Sequence, residues 1–231
     1  PNPKPQTPNP KPLRSDLTDL SGIKEVPAAK NILDQGKAQR EKLAKEIKAI
    51  EDSLKKDEAD VIKKKDTAKP EEFAVMRKDF EKKLTTYCGN KATLCLNSAT
   101  AGLEIMLRWF GVGEGDEVIL PAYTYSATAN VVIHCGAKPV FVDVNADDFN
   151  INVANIEKAI NEKTKVIMPV DFAGFPCDYD EINALVIKHK SQFKPNSKNQ
   201  ELLGRIMVLS DSAHSFGANY KGKKCGALAD V

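Results

Sequence analysis

Val208-Leu-Ser-Asp-Ser-Ala-His-Ser-Phe-Gly217 is the stretch of sequence that decides the fold of this chain. An apolar run from Ile206 to Leu209 stops just before Asp211, and small residues follow. This pattern predicts a buried strand that delivers a carboxylate at its carboxyl end, where open α/β sheets bind their ligands. Asp211 is therefore the first candidate site residue.

Outward from this stretch, short apolar runs alternate with helical patterns over residues 89–231. Strands are predicted at 92–96, 117–120, 139–144, 165–170 and 206–209, and helices at 100–110, 126–135, 153–160 and 180–190. The alternation predicts an α/β domain with a mostly parallel sheet between two layers of helices. Right-handed crossovers then bring the carboxyl ends of the strands to one edge. Residues 191–200 are polar and are interpreted as a surface loop.

The first 88 residues have a different character. Residues 1–12 contain Pro-Asn-Pro-Lys-Pro twice, which predicts a disordered, polyproline-II-like tail. Residues 13–88 are predicted to be a helical segment that carries a charged helical insertion from Lys37 to Lys65 and a second helix from Glu71 to Tyr87. The apolar stripe of the inserted helix, which includes Leu43, Ile47, Ile50 and Leu54, is expected to pack on its own domain or on a neighbouring subunit; a partner-binding coiled coil is the alternative.

The composition excludes several classes of function. The net charge is +2, from 34 basic and 32 acidic residues, so no overall field favours nucleic acid or an anionic membrane. No apolar run approaches the ~20 residues that cross a bilayer. The five cysteines are scattered without metal-ligand spacing, which predicts reduced thiols, a cytoplasmic protein and no metal site.

Three features at predicted strand ends carry the candidate chemistry. Asn97-Ser-Ala-Thr-Ala-Gly102 places small and hydroxyl residues at a helix start, where phosphates bind, although Ser or Thr at this position is usually just a helix cap. Tyr123 and Tyr125 follow the next strand and could stack on a flat ring or pack in the core. A carboxylate at Asp211 can keep a pyridine nitrogen protonated. The combination fits pyridoxal phosphate (PLP).

From about Met76 onward the chain also resembles the DegT/DnrJ/StrS family of sugar aminotransferases, PLP enzymes of fold type I. The matching motifs are Asn97-Ser-Ala-Thr-Ala-Gly-Leu103, Gly113-Glu-Gly-Asp-Glu-Val-Ile-Leu-Pro-Ala-Tyr-Thr-Tyr125, Gly136-Ala-Lys-Pro-Val-Phe-Val-Asp-Val144, Thr164-Lys-Val-Ile-Met-Pro-Val170, Asp211-Ser-Ala-His214 and Tyr220-Lys-Gly-Lys223. The resemblance implies that Thr100 and Ala101 hold the cofactor phosphate and that Tyr125 stacks on the ring. It also implies that Asp211 pairs with the ring nitrogen and that His214 lies near the phenolic oxygen.

The resemblance further implies a homodimer that transfers an amino group from glutamate to a nucleotide-linked keto-deoxysugar in aminosugar or polysaccharide biosynthesis. The Schiff-base lysine and a smaller carboxyl-terminal domain are expected beyond Val231, so residues 89–231 are interpreted as an incomplete PLP-binding large domain that is inactive alone. Two alternatives remain open. A histidine in place of that lysine would indicate a sugar dehydratase of the same family, and a chain without it would indicate a non-catalytic scaffold.

Overall fold

The structure, a computed structural model, describes residues 27–64 and 69–231, and its described residues divide into two units on either side of the boundary between Ser53 and Leu54. The predicted tail at 1–12 lies outside the described residues. Helix α1 spans Pro27–Lys64 and so begins earlier than the predicted Lys37. In its predicted stripe Ile50 is exposed and Leu54 is buried, and the side chains of Leu43 and Ile47 lie outside the described residues.

Helix α2 spans Pro70–Cys88 and has clear sequence signals at both ends. Proline occupies its first turn, where no N–H partner is needed, and Gly89 ends it in the left-handed conformation with a φ of 72°. The Lys83 ammonium donates to Asp57 Oδ2 at 2.9 Å, which joins α2 to the end of α1. None of the helices in the described parts of the chain is long and apolar enough to cross a membrane.

After Gly89, helices and strands alternate as predicted. The elements are α3 (Ala99–Phe110), β1 (Glu117–Pro121), α4 (Ser126–His134), β2 (Lys138–Val142), α5 (Val153–Ala159), β3 (Thr164–Ile167), α6 (Tyr179–Lys188), α7 (Lys198–Leu203), β4 (Met207–Val208), β5 (Asn219–Tyr220) and β6 (Lys223–Lys224). Short 3-10 turns at Phe172–Gly174 and Lys190–Gln192 interrupt two of the connections.

The main sheet has four strands in the order β2-β1-β3-β4, and every pairing in it is parallel. All residues of the central strands β1 and β3 are buried, and both strands are apolar after their first one or two residues. Helix α3 buries Leu103, Leu107 and Phe110, spaced four and three residues apart, against this sheet. The predicted α/β class with a mostly parallel sheet is confirmed.

Both edges of the sheet have distinctive features. At the β4 edge, residues 230–231 run alongside the strand: Asp230 N–H donates to Val208 O at 3.1 Å, and Ser210 N–H donates to Val231 O at 2.8 Å. At the other edge, β2 contains Pro139, and Lys138 N–H donates to Asp116 O at 2.9 Å. The β4 edge is thus covered by the chain's own backbone.

The prediction of a strand at residues 92–96 is wrong. These residues pair with no strand in the described structure, and Leu94 and Leu96 are 74% and 51% exposed. The segment is held instead through its backbone, because Cys95 N–H donates to Glu81 Oε1 at 2.9 Å. A short apolar segment can form a strand, but pairing also requires a neighbouring strand edge, which the local sequence does not reveal.

The interpretation of 191–200 as a surface loop is also wrong in part. Ser197 caps α7 through its side chain, and Ser197 Oγ also donates to Phe110 O, at the end of α3, at 2.7 Å. Asn199 Nδ2 donates to Trp109 O at 2.6 Å, and Gln200 is fully buried. Ser197 and Asn199 therefore satisfy two of the last carbonyl groups of α3, although several other polar residues of the segment are exposed.

Candidate active site

A cavity of about 420 Å³ lies beyond the carboxyl ends of the parallel strands. Its volume falls within the range of small-molecule sites. The start of α3, the loop after β1, the loop after β3 and the segment after β4 all contribute to its walls. The lining residues include four of the five predicted site residues: Thr100, Tyr125, Asp211 and His214.

Asp211 reaches the cavity because an isolated parallel bridge with Val170 extends the sheet beyond β4. Its N–H donates to Pro169 O at 2.9 Å, and its carbonyl accepts from Asp171 N–H at 3.1 Å. The Asp211 carboxylate is half-buried and accepts from Ala213 N–H at 3.3 Å and from Thr128 Oγ1 at 3.5 Å. Backbone hydrogen bonds from its N–H and its carbonyl group therefore fix the position of Asp211 in the cavity wall.

The first turn of α3 supplies the donor-rich wall. Backbone N–H groups at a helix start have no intrahelical partner and attract anions. Ala99 and Thr100 line the cavity at this turn. Ala101 does not line it, and its N–H donates to the Ser98 side chain at 3.1 Å as part of the helix cap. Of the two residues predicted to hold phosphate, Thr100 is thus the one that faces the cavity.

Two tyrosines line a further wall. Tyr125 immediately precedes α4 and is 81% exposed, so its ring is available to a ligand rather than packed in the core. Tyr123 packs against Phe149 and Phe172, with ring centroids 5.6 and 5.0 Å away. Neither ring packs in the core, because Tyr123 is also 53% exposed and lines the cavity beside its two aromatic neighbours.

His214 is exposed at the cavity and lies in the turn that follows Asp211. The 3-10 turn at Phe172–Gly174 approaches the backbone of His214 so closely that a Cβ on Gly174 would lie 2.8 Å from His214 O. Gly174 also has a φ of +85°, which favours glycine. Glycine here allows the loop after β3 to support the turn that carries His214.

Several residues near the cavity were not predicted from the sequence. Thr128 lines the cavity, and its hydroxyl bonds Thr124 Oγ1 at 2.9 Å and Asp211 Oδ2 at 3.5 Å. Phe172 lies in the loop after β3 and also lines the cavity. Asp171 is fully buried beneath the Asp211 turn. The signal that could have found Asp171 is a carboxylate directly after a buried strand, the same signal that identified Asp211.

The donor set of the cavity fits pyridoxal phosphate. Backbone N–H groups at a helix start suit a phosphate, the exposed Tyr125 ring suits stacking on a flat heterocycle, and the Asp211 carboxylate suits a protonated ring nitrogen. These three groups belong to three different segments of the chain, and they share one cavity. The fold and the site together define a fold type I domain with a cofactor cavity at its strand ends.

Residues 55–231 match the model of the DegT/DnrJ/EryC1/StrS aminotransferase family, and the chain belongs to this family. The GDP-perosamine synthase of Caulobacter vibrioides is 40% identical over 152 residues, which are 66% of this chain and 37% of that protein. The chain spans only about a third of the length of such curated relatives.

Solved structures agree with this membership. Spr1654 of Streptococcus pneumoniae, assigned as a sugar aminotransferase and solved in its PLP form, superposes with a TM-score of 0.68 at 44% identity, covering 75% of this chain and 44% of that one. A GDP-4-keto-6-deoxymannose-3-dehydratase with a trapped PLP-glutamate geminal diamine has a TM-score of 0.53 at 25% identity, covering 64% and 36%. The predicted family, the fold type I class and PLP as the cofactor of the family are confirmed.

Proposed function

We propose that the protein to which this chain belongs is a PLP-dependent aminotransferase that moves an amino group from glutamate to a nucleotide-linked keto-deoxysugar. The observation that carries this proposal is the meeting of the α3 start, the exposed Tyr125 and the Asp211 carboxylate in one cavity of a chain from this family. A relative named as GDP-perosamine synthase supports a sugar nucleotide as the acceptor.

In this proposal each wall of the cavity has a separate task. The N–H groups of Ala99 and Thr100 bind the phosphate of the cofactor. Ala101 belongs to the same helical turn, and its small side chain leaves the phosphate room to approach. Tyr125 stacks on the pyridine ring of the cofactor and fixes its orientation, and His214 lies beside the phenolic oxygen of the cofactor. When bound, pyridoxal phosphate supplies an electron sink that stabilises negative charge on the carbon adjacent to the transferred nitrogen.

Asp211 has the central task, which is to hold a proton on the ring nitrogen. An ionised carboxylate close to that nitrogen favours its protonated form. The backbone bonds to Asp211 and the contact with Thr128 keep the carboxylate oriented before the cofactor binds. Preorganisation of this kind avoids a reorganisation cost during the reaction.

We further propose residues 89–231 as the cofactor-binding domain and 13–88 as its helical extension. A homodimer in the cytoplasm, acting in aminosugar or polysaccharide biosynthesis, completes the proposal. Free thiols on all five cysteines are consistent with a reducing compartment. The spore coat polysaccharide biosynthesis protein SpsC of Bacillus subtilis, a relative at 37% identity, is consistent with the polysaccharide setting.

The second candidate is a sugar dehydratase, which the similarity to the GDP-4-keto-6-deoxymannose-3-dehydratase favours. The two candidates differ in the product. An aminotransferase leaves the nitrogen of glutamate on the sugar, whereas a dehydratase removes a hydroxyl group and leaves no nitrogen there. Incubation of the full-length protein with PLP, nitrogen-15 glutamate and a nucleotide keto-deoxysugar, followed by mass spectrometry of the sugar, separates them.

Two variants test the role of the site in the same assay. Asp211→Asn is expected to slow the release of 2-oxoglutarate by about 10²–10³-fold, because it removes a preorganised charge. Asp143→Asn is the matched control, since Asp143 also follows a parallel strand but is exposed and outside the cavity. Equal rates in the two variants, or a full-length protein that neither binds PLP nor turns over glutamate, would contradict the proposal.

A further inference from the structure

Asp171 is a fully buried carboxylate that the proposed chemistry does not use. Its Oδ1 accepts from Cys177 N–H and from the Tyr179 hydroxyl, both at 2.9 Å. Its Oδ2 accepts from Ser212 Oγ at 3.2 Å and from Ser215 Oγ at 2.6 Å. Four hydrogen-bond donors therefore converge on one carboxylate, as is necessary for a buried charge.

The hydroxyl groups around Asp171 form a closed ring beneath the backbone of Asp211. Ser210 Oγ lies 2.5 Å from the Tyr179 hydroxyl oxygen and 2.8 Å from Ser212 Oγ. Because Tyr179 and Ser212 donate their own protons to Asp171, the single Ser210 proton is donated to one of these two oxygens at a time. Ser212 then returns to Asp171. Successive side chains of an extended segment point to opposite sides, so the two serines are bonded beneath while Asp211 faces the cavity.

The residues on both sides of Asp211 are thus attached to the same buried group. Asp171 also contacts Asp211 directly through the backbone, because Asp171 N–H donates to Asp211 O at 3.1 Å. Ser215 extends the attachment to the far side of His214. The turn from Ser210 to Ser215 is consequently anchored at three side chains by the Asp171 ring.

We propose that Asp171 is a positioning residue, which acts through Ser210, Ser212 and Ser215 to set the place of the Asp211 carboxylate and so the grip of the site on the ring nitrogen of PLP. This inference rests on the proposed function. Asp171 itself does not touch the cavity; its effect on the cofactor passes through the turn above it.

The side chain at position 171 must be a hydrogen-bond acceptor, because the groups that surround it are donors. Burial, together with the negative charge of Asp171, raises the pKa of the Tyr179 hydroxyl, and the same two causes raise the pKa of the Cys177 thiol. Tyr179 therefore remains a protonated donor. An asparagine at 171 would direct an NH₂ group at hydrogen-bond donors and would leave some of them without an acceptor.

The test compares PLP with deaza-PLP, an analogue in which a C–H unit replaces the ring nitrogen, by titrating both into the full-length apoprotein and following protein fluorescence. Asp171→Asn removes the charge, and Tyr179→Phe removes only the hydroxyl between Asp171 and Ser210. Tyr220→Phe is the matched control, because the Tyr220 hydroxyl bonds Asp178 outside the ring of hydroxyl groups.

Asp171→Asn and Tyr179→Phe are expected to raise the Kd for PLP about tenfold, the effect of one lost hydrogen bond to a charged group. The Kd for deaza-PLP should change less than about twofold, and Tyr220→Phe should change neither value. Equal weakening of both ligands by Tyr179→Phe would overturn the inference, since it would show only a general loosening of the turn. A wild-type protein that binds neither ligand would instead contradict the proposed function, and the inference with it.

Discussion

Replacement of Gly111 by alanine tests how firmly the segment before α7 is held on the end of α3. Gly111 ends α3 with a φ of 80°, and a Cβ there would lie 2.5 Å from Ser197 Cβ and 2.6 Å from Ser197 Oγ. Gly89 ends α2 in the same conformation, with a φ of 72°, but a Cβ there would meet nothing within 4 Å. The two glycines therefore form a matched pair.

The expected magnitude follows from what each alanine disturbs. Both substitutions force a left-handed conformation on alanine, which costs about 1–2 kcal/mol, and both gain about 0.4–1 kcal/mol from a less flexible unfolded chain. Only Gly111→Ala also displaces Ser197, with loss of the α7 cap at about 1 kcal/mol and of the bond to Phe110 O at about 1 kcal/mol. We therefore expect Gly111→Ala to cost about 2 kcal/mol more than Gly89→Ala.

Equilibrium urea denaturation of both variants measures this difference in the free energy of unfolding. A further variant, Ser197→Gly, removes both atoms that obstruct the new Cβ. In that background Gly111→Ala should cost no more than Gly89→Ala does. Equal costs for the two alanine variants in the wild-type background would refute the reasoning, because they would show that the segment moves aside freely.

Two further predictions concern the sheet and its covering helix. Leu107→Ala should lower the free energy of unfolding by about 2–5 kcal/mol because Leu107 is fully buried, whereas Ile105→Ala on the same helix, 50% exposed, should cost less than about 1 kcal/mol; similar losses in urea denaturation would contradict the packing described. Hydrogen bonds from Asn161 and then Lys138 lower the pKa of Glu117, so its stabilising effect is present above the unfolded value of about 4.3 and is lost as the pH falls through the lower folded value. Glu117→Gln should therefore lower the free energy of unfolding, measured by urea denaturation, at pH 7 but not at pH 2. The exposed Glu114→Gln serves as the control. A decrease that is the same at both pH values would exclude the ionised Glu117 carboxylate as the cause.

The sequence predicted the parallel sheet well because buried central strands require apolar residues on both faces. Residues 118–121 of β1 and 166–167 of β3 have this signature, and each strand was located within a few residues. The segment at 92–96 has an alternating pattern of similar quality, yet Leu94 and Leu96 are exposed. A strand depends on a partner that is distant in sequence, and no local pattern encodes that partner.

The hairpin of β5 and β6 was missed for a different reason. Its turn consists of Lys221 and Gly222, both with positive φ values, 49° and 85°. This is the two-residue turn that suits the twist of antiparallel strands. The strands on either side have only two residues each, so they are too short to show a period.

The candidate site was largely predictable because its side chains follow strand ends or helix starts. Thr100, Tyr125 and Asp211 each stand at such a position, whereas His214, in the turn after Asp211, was predicted only from the family resemblance. All four line one cavity, and their roles stay predictions. The position of Ala101 was less predictable, since the Ser98 cap takes up its N–H.

The ring of hydroxyl groups around Asp171 could not be predicted from the sequence. A carboxylate that follows a strand gives no sign of whether it will face the core or the cavity. Asp171 and Asp211 follow neighbouring strands and bond each other's backbone, yet one is buried and the other lines the cavity. The difference depends on hydroxyl groups that come from several later segments of the chain.

Pro139 has a consequence for association between copies of the protein. Lys138 N–H and Val142 O both bond to the β1 side, so alternate residues of β2, including Pro139 and Phe141, direct their backbone groups to the open edge. Proline has no N–H, so the edge offers one donor where a regular strand of this length would offer two. Because the backbone of residues 230–231 lies along β4, neither β2 nor β4 offers a complete ladder for strand addition within the described residues, which disfavours edge-to-edge pairing through these two strands.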